Sequence, residues 1–79
     1  MITDVELRQR QNAEPFAPFR VRTSFGEVAD VLHPRLMLAW GETLVVGPPS
    51  EKDPEVAAWH VHLSIPHIVA VEELATAKT

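Results

Sequence analysis

A chain of 79 residues with 46% hydrophobic and 23% charged residues has the composition of one small globular domain and is too apolar to stay disordered. It has no cysteine, which excludes disulfides and thiolate metal sites and fits a reducing compartment. Its net charge of −4, from 7 basic and 11 acidic residues, argues against a general nucleic-acid binder, whose affinity rests on neutralising phosphates.

The segment MITDVELRQRQ has no apolar h-region, so no signal peptide is expected. No apolar run approaches the ~20 residues needed to cross a bilayer. The expectation is a cytoplasmic protein with no membrane partner. A domain of this size buries only about 60% of the surface its unfolded chain exposes. Some apolar groups are then left at the surface, where a homo-oligomer interface would use them.

Thr3, with Glu6 three residues on, matches a capping box, and Ile2 with Leu7 matches a hydrophobic staple. Asp4 and Glu6 suit the positive end of the helix dipole. The pattern predicts a helix over 4–12, thin on its apolar side and dependent on packing. Pro15 disfavours helical geometry in Glu14 and ends it.

Residues 13–18 form a strap into the first strand. In PFAPF, Pro15 and Pro18 favour an extended polyproline-like path with three residues per turn. Phe16 and Phe19 can then face the same way and pin the strap to the core. The functional alternative is a PxxP ligand for another protein.

The run Phe19–Phe25 alternates, which predicts a half-buried strand with Phe19, Val21 and Thr23 inward. Phe25-Gly26 turns it, and 27–32 returns until His33-Pro34. Strands follow over 36–40 and 43–46, turned by Gly41-Glu42. These two runs are apolar on both faces, which suits a closed barrel, a sandwiched strand or a subunit interface.

Residues 47–55, rich in proline and charge, read as a flexible loop. VAAWHVHL over 56–63 resumes a strand, with Trp59 on the core face. Ser64-Ile65-Pro66 breaks it as a single 3-10 turn, 68–71 is the last strand, and 75–79 is a tail. The expectation is a single domain over 1–79. It is mainly β (α+β): a short N-terminal helix, then a five- to six-stranded antiparallel barrel over 19–74, SH3-like or Sm-like.

Thr3 to Arg10, PFAPF, Phe25-Gly26, His33-Pro34 and Ile65 to Leu74 together resemble a family of short, uncharacterised bacterial proteins. These share an N-terminal helix, a Pro-Phe-x-Pro-Phe strap, an aspartate-glycine hairpin, a His-Pro step and a closing apolar strand ending in acid. Phe25 stands where that hairpin carries aspartate. The resemblance implies architecture and no chemistry. The helix-then-barrel order is also similar to that of bacterial Sm-like RNA chaperones, which form rings, though their RNA-contact motifs are not found here.

The chemistry-bearing residues are few. His60 and His62 share a strand face and could hold one metal, but zinc needs a third and usually a fourth ligand. His33, His67, Glu72 and Asp30 are the other donors, and no spacing gathers them. The alternative is a pair of solvated surface histidines, or a pH-sensitive interface.

Arg20 and Arg22, with Arg8 and Arg10, could form a basic patch for RNA. The competing reading is local ion pairing to Glu6, Glu27 or Asp30. His33 is a turn residue or a weak binding candidate beside Arg20 and Arg22, with Asp30 its nearest acid. Phe16 and Trp40 could stack bases. Ser24, Ser50 and Ser64 sit in no nucleophile motif, and three scattered glycines build no phosphate loop. Neither enzyme activity nor a cofactor is implied.

The functional expectation is a self-associating, non-enzymatic interaction module, with a protein partner as a further option. The alternative is an Sm-like RNA-binding ring.

Overall fold

The computed structural model describes residues 2–53 and 56–74. Pro54 and Glu55 of the expected flexible loop, and the expected tail over 75–79, lie outside the described residues.

Helix α1 runs Asp4–Gln11 with Asn12 as its C-cap. Both halves of the capping box form: the Glu6 N–H donates to Thr3 Oγ1 at 3.3 Å and the Thr3 N–H to Glu6 Oε1 at 3.2 Å. Leu7 is buried and Ile2 packs on the core, whereas Val5 is half exposed. A single apolar anchor cannot hold so short a helix, and polar contacts supply the rest.

Six strands follow: β1 Phe19–Thr23, β2 Val28–Val31, β3 Met37–Trp40, β4 Thr43–Val46, β5 Val61–Ser64 and β6 Ile68–Glu73. Short 3-10 turns, Pro34–Leu36 and Ile65–His67, precede β3 and β6. The strands form two three-stranded antiparallel sheets, ordered β2-β1-β6 and β3-β4-β5. The expected closed barrel is therefore corrected: the sheets face each other across one core without joining into a ring.

The core takes alternate residues from both inner faces. Phe19, Val21 and Val31 of the first sheet meet Ala39, Leu44 and Leu63 of the second, with Leu7 from α1. Phe16 and Phe19 lie with ring centroids 6.2 Å apart and tilted by 56°. The strap is thus held by an aromatic pair, Phe19 fully buried and Phe16 partly so.

Two glycines make the hairpins possible. Gly26 has φ +88° and Gly41 has φ +61°, the left-handed region open to residues without a Cβ. Buried Thr23 organises the first turn: its hydroxyl donates to Glu27 Oε1 and accepts from the Phe25 and Glu27 N–H groups.

Trp59 is 58% exposed, which corrects its expected place on the core face, and Trp40 is 72% exposed. The reason at Trp59 is a slip in register: between the Pro49–Ala57 bridge and the Val46–Val61 pair, residues 47–48 on one side face residues 58–60 on the other. Strand β4 ends at Val46, and the Gly47-Pro48-Pro49 stretch that would continue it lacks two ladder donors. Among the described residues an isolated bridge, Pro49 to Ala57, continues the pairing beyond Val46, and β5 begins at Val61 rather than Val56. No helix among the described residues is long and apolar enough to cross a membrane.

Candidate interaction surfaces

Each sheet has two outer strands, and they are not equivalent. The outer edge of β3 is covered by α1. Arg8 Nη1 donates to the Ala39 carbonyl at 3.0 Å, and Gln11 Nε2 donates to Met37 O at 3.0 Å and Pro34 O at 2.7 Å. Asp4 Oδ2 accepts from Gly41 N–H at 3.0 Å and from Arg8 Nη1 at 2.6 Å. The polar face of the helix thus satisfies strand-edge carbonyls that would otherwise be a template for another chain. The Arg8 guanidinium also lies 5.0 Å from the centre of the Trp40 ring.

The outward face of the first sheet carries the arginine pair. Arg20 binds Asp30 through two nitrogens, at 2.7 and 3.1 Å. Arg22 Nε reaches Glu72 at 3.3 Å. The register places Arg20 directly opposite Asp30, whereas Arg22 lies opposite Ala70 and reaches Glu72 along the diagonal. Arg10 lies over the Phe19 ring, 5.5 Å from its centre. The four arginines expected to make a basic patch are instead engaged separately, with carboxylates, backbone and rings.

Hydrogen bonding from Arg20 is the main cause that lowers the Asp30 pKa, with partial burial opposing it. Asp4 is lowered likewise, first by Arg8 and then by the Gly41 N–H. A carboxyl depressed below its unfolded value of about 3.9 contributes fully above that pH and loses its contribution as pH falls through the folded value. Asp30→Asn is therefore expected to lower the melting temperature at neutral pH and to reduce its loss on acidification below about pH 4. Thermal melts of both proteins from neutral to acid pH check this; parallel curves would show that the ion pair contributes nothing.

The outward face of the second sheet is mixed, apolar at Leu38, Trp40 and Val45 and polar at Thr43, His62 and Ser64. Leu38 lies opposite Val45, and Val45 opposite His62; Trp40 lies opposite Thr43, and Thr43 opposite Ser64. Leu38 is 60% exposed. His62 points outward beside this row, while His60 lines a shallow 150 Å³ depression with Arg35, Leu38, Val45 and Ala57. No group of three or more His, Asp or Glu side chains placed to hold a metal ion occurs among the described residues.

His33 has a structural task. Its Nδ1 accepts from the Arg35 N–H at 3.0 Å and caps the 3-10 turn Pro34–Leu36. It also lines an open polar cleft with Gln11, Glu14 and Arg35. His67 packs against exposed Phe25, with ring centres 4.6 Å apart, and its Nδ1 lies 3.4 Å from Ser24 Oγ. Among the described residues Arg20 pairs with Asp30, Arg22 with Glu72, and His33 with the Arg35 N–H, so the three candidates are engaged separately.

Sequence reasoning missed a groove of about 310 Å³ beside the outer edge of β2. Val28, Leu32, Val46, Pro48, Trp59 and Val61 give it mostly apolar walls. The exposed hydrophobics at Val28 and Leu32 were visible as the off-phase positions of a strand otherwise directed inward. No protein-family model, curated protein or solved structure matches the chain.

Proposed function

We propose that this chain is a non-enzymatic interaction module that associates with its own copies. The observation that carries the reading is the exposure of both tryptophans, at 72% and 58%, together with Leu38 and Leu32. A domain this small has few large side chains for its core, and leaving two of the largest in water forgoes stabilisation of about 1.5–3 kcal/mol each. Covering them with another chain recovers it.

A second reading is an Sm-like RNA-binding ring in a cytoplasmic protein of the short bacterial family described above. The order of helix, strands and a 3-10 turn before the last strand supports it, as does Trp40 presented with Arg8 across its face. Against it stand the net charge of −4 and the use of Arg20 and Arg22 on Asp30 and Glu72.

Native mass spectrometry of untagged protein, prepared without nuclease, tests both. A bare dimer or larger assembly is the expected result. A monomer at every concentration overturns self-association. A ring carrying nucleic acid, lost in the Arg20→Ala, Arg22→Ala double variant, moves the RNA reading into first place.

A further inference from the structure

We infer that the self-contact is an antiparallel pairing of β2 with β2 of a second copy, about a two-fold axis at Ala29. This rests on the self-association reading and says which surface performs it.

The argument begins with backbone direction. Thr23 N–H donates to Glu27 O at 3.0 Å, so residues 19, 21 and 23 of β1 turn their backbone groups toward β2. Leu74 N–H donates to Pro18 O at 2.9 Å, so the alternate residues turn toward β6. Antiparallel ladders alternate in this way. Ala29 and Val31 therefore bond to β1, and the N–H and C=O of Val28 and Asp30 face the outer edge. Among the described residues, no backbone hydrogen bond from another element reaches that edge.

Charge selects β2 among the edges. The β3 edge is closed by α1. Strand β6 carries two carboxylates, Glu72 on Arg22 and Glu73 with no arginine among the described residues, so two β6 edges bring together more bare negative charge than two β2 edges do. The exposed side chains of β5, His62 and Ser64, are polar and offer nothing apolar to seal a contact. On β2 the one charged side chain, Asp30, is already neutralised by the two nitrogens of Arg20. A chain of net charge −4 can meet itself there without facing bare carboxylates.

Charge and strand overlap together fix the register: an axis at Val28 would set Asp30 opposite Gly26 in the turn, outside β2. Pairing Val28 with the partner copy's Asp30 joins outward-facing backbone groups at both positions and leaves Ala29 on the axis. A shift that centres Asp30 would set the two aspartates face to face.

A four-residue strand spans only about 13 Å, too little to hold two chains together alone. The flanking groove adds Val28, Leu32 and Trp59, each about half exposed, from each copy. The contact falls at the small end of specific interfaces, below about 1,200 Å² in total, so the association is concentration-dependent.

Sedimentation velocity over a wide concentration range tests the pairing with two variants. Val28→Pro removes an outward N–H without touching the β1–β2 ladder, and Trp59→Lys places a charge on the groove. Each is expected to weaken association at least tenfold while circular dichroism stays that of the parent. If Val28→Pro does not fold, Trp59→Lys decides. Parent protein that associates, with folded variants that associate equally well, overturns the β2 pairing and leaves self-association standing. Parent protein that is monomeric throughout overturns both.

Discussion

Phe19→Ala is expected to lower stability by about 3–5 kcal/mol, the range for removing a fully buried phenylalanine. For a chain of 79 residues, total stability is of the order of 4–12 kcal/mol, so this one change removes a large fraction of it. The physical reason is position. Phe19 is 0% exposed, opens β1 opposite Val31 and Glu73, and takes the Phe16 ring on one side and the Arg10 guanidinium on another. Truncation leaves a cavity where strap, helix and first sheet meet. Phe25, at 68% exposure, provides the comparison: Phe25→Ala removes a contact with His67 and is expected to cost about 1 kcal/mol or less. Urea denaturation of both variants measures the difference. Equal losses would mean that the strap is not anchored by Phe19.

Substitution at Gly47 is the second large effect, and it arises from space rather than from φ. A Cβ at Gly47 would fall on the Trp59 carbonyl oxygen and 2.5 Å from Ala57 Cβ. Backbone cannot swing away as a flexible side chain can. The neighbouring segments are tied by Ala58 N–H to Pro48 O at 2.9 Å and Ser50 N–H to Val56 O at 2.9 Å, and Gly47 N–H itself donates to Leu36 O at 3.0 Å. Gly47→Ala is expected to cost about 1–3 kcal/mol by overpacking, and Gly47→Val more, because the added methyls deepen the clash. Gly26 and Gly41 have open space around them but positive φ. Alanine there costs about 1–2 kcal/mol from backbone conformation alone. Tryptophan fluorescence during denaturation reads the Gly47 effect, since Trp59 lies at the crossing. A valine no worse than alanine at 47 would show that the crossing is loose.

Features set by near neighbours were legible in the sequence. The Thr3–Glu6 box, the glycines at 26 and 41, and the 3-10 turn at Ile65–His67 each depend on residues within a few positions. The inward phase of Phe19, Val21 and Thr23 followed from alternation alone. The Arg20–Asp30 pair was anticipated as local ion pairing, because a hairpin brings 20 opposite 30.

What was not legible depends on tertiary pairing. Arg22 meets Glu72 fifty residues away, and Arg8 meets Ala39 thirty-one residues away. No local pattern shows that the helix closes the β3 edge. The apolar runs around Leu38 and Val45 were compatible with a closed barrel, but an exposed apolar sheet face has the same pattern. Trp59 is off the expected phase because one extra residue between Ala57 and Val61 shifts the register, which no local pattern shows.

Apolar groups that neither barrel closure nor an extended β5 covers are left to be covered by another chain. The most direct test of that account is amide hydrogen exchange at Val28 and Asp30 as a function of protein concentration. Pairing through β2 predicts fast exchange at both when dilute and growing protection as concentration rises, with Ala29 and Val31 protected throughout by their bonds to β1. Exchange at Val28 and Asp30 that stays equally fast at every concentration would contradict it.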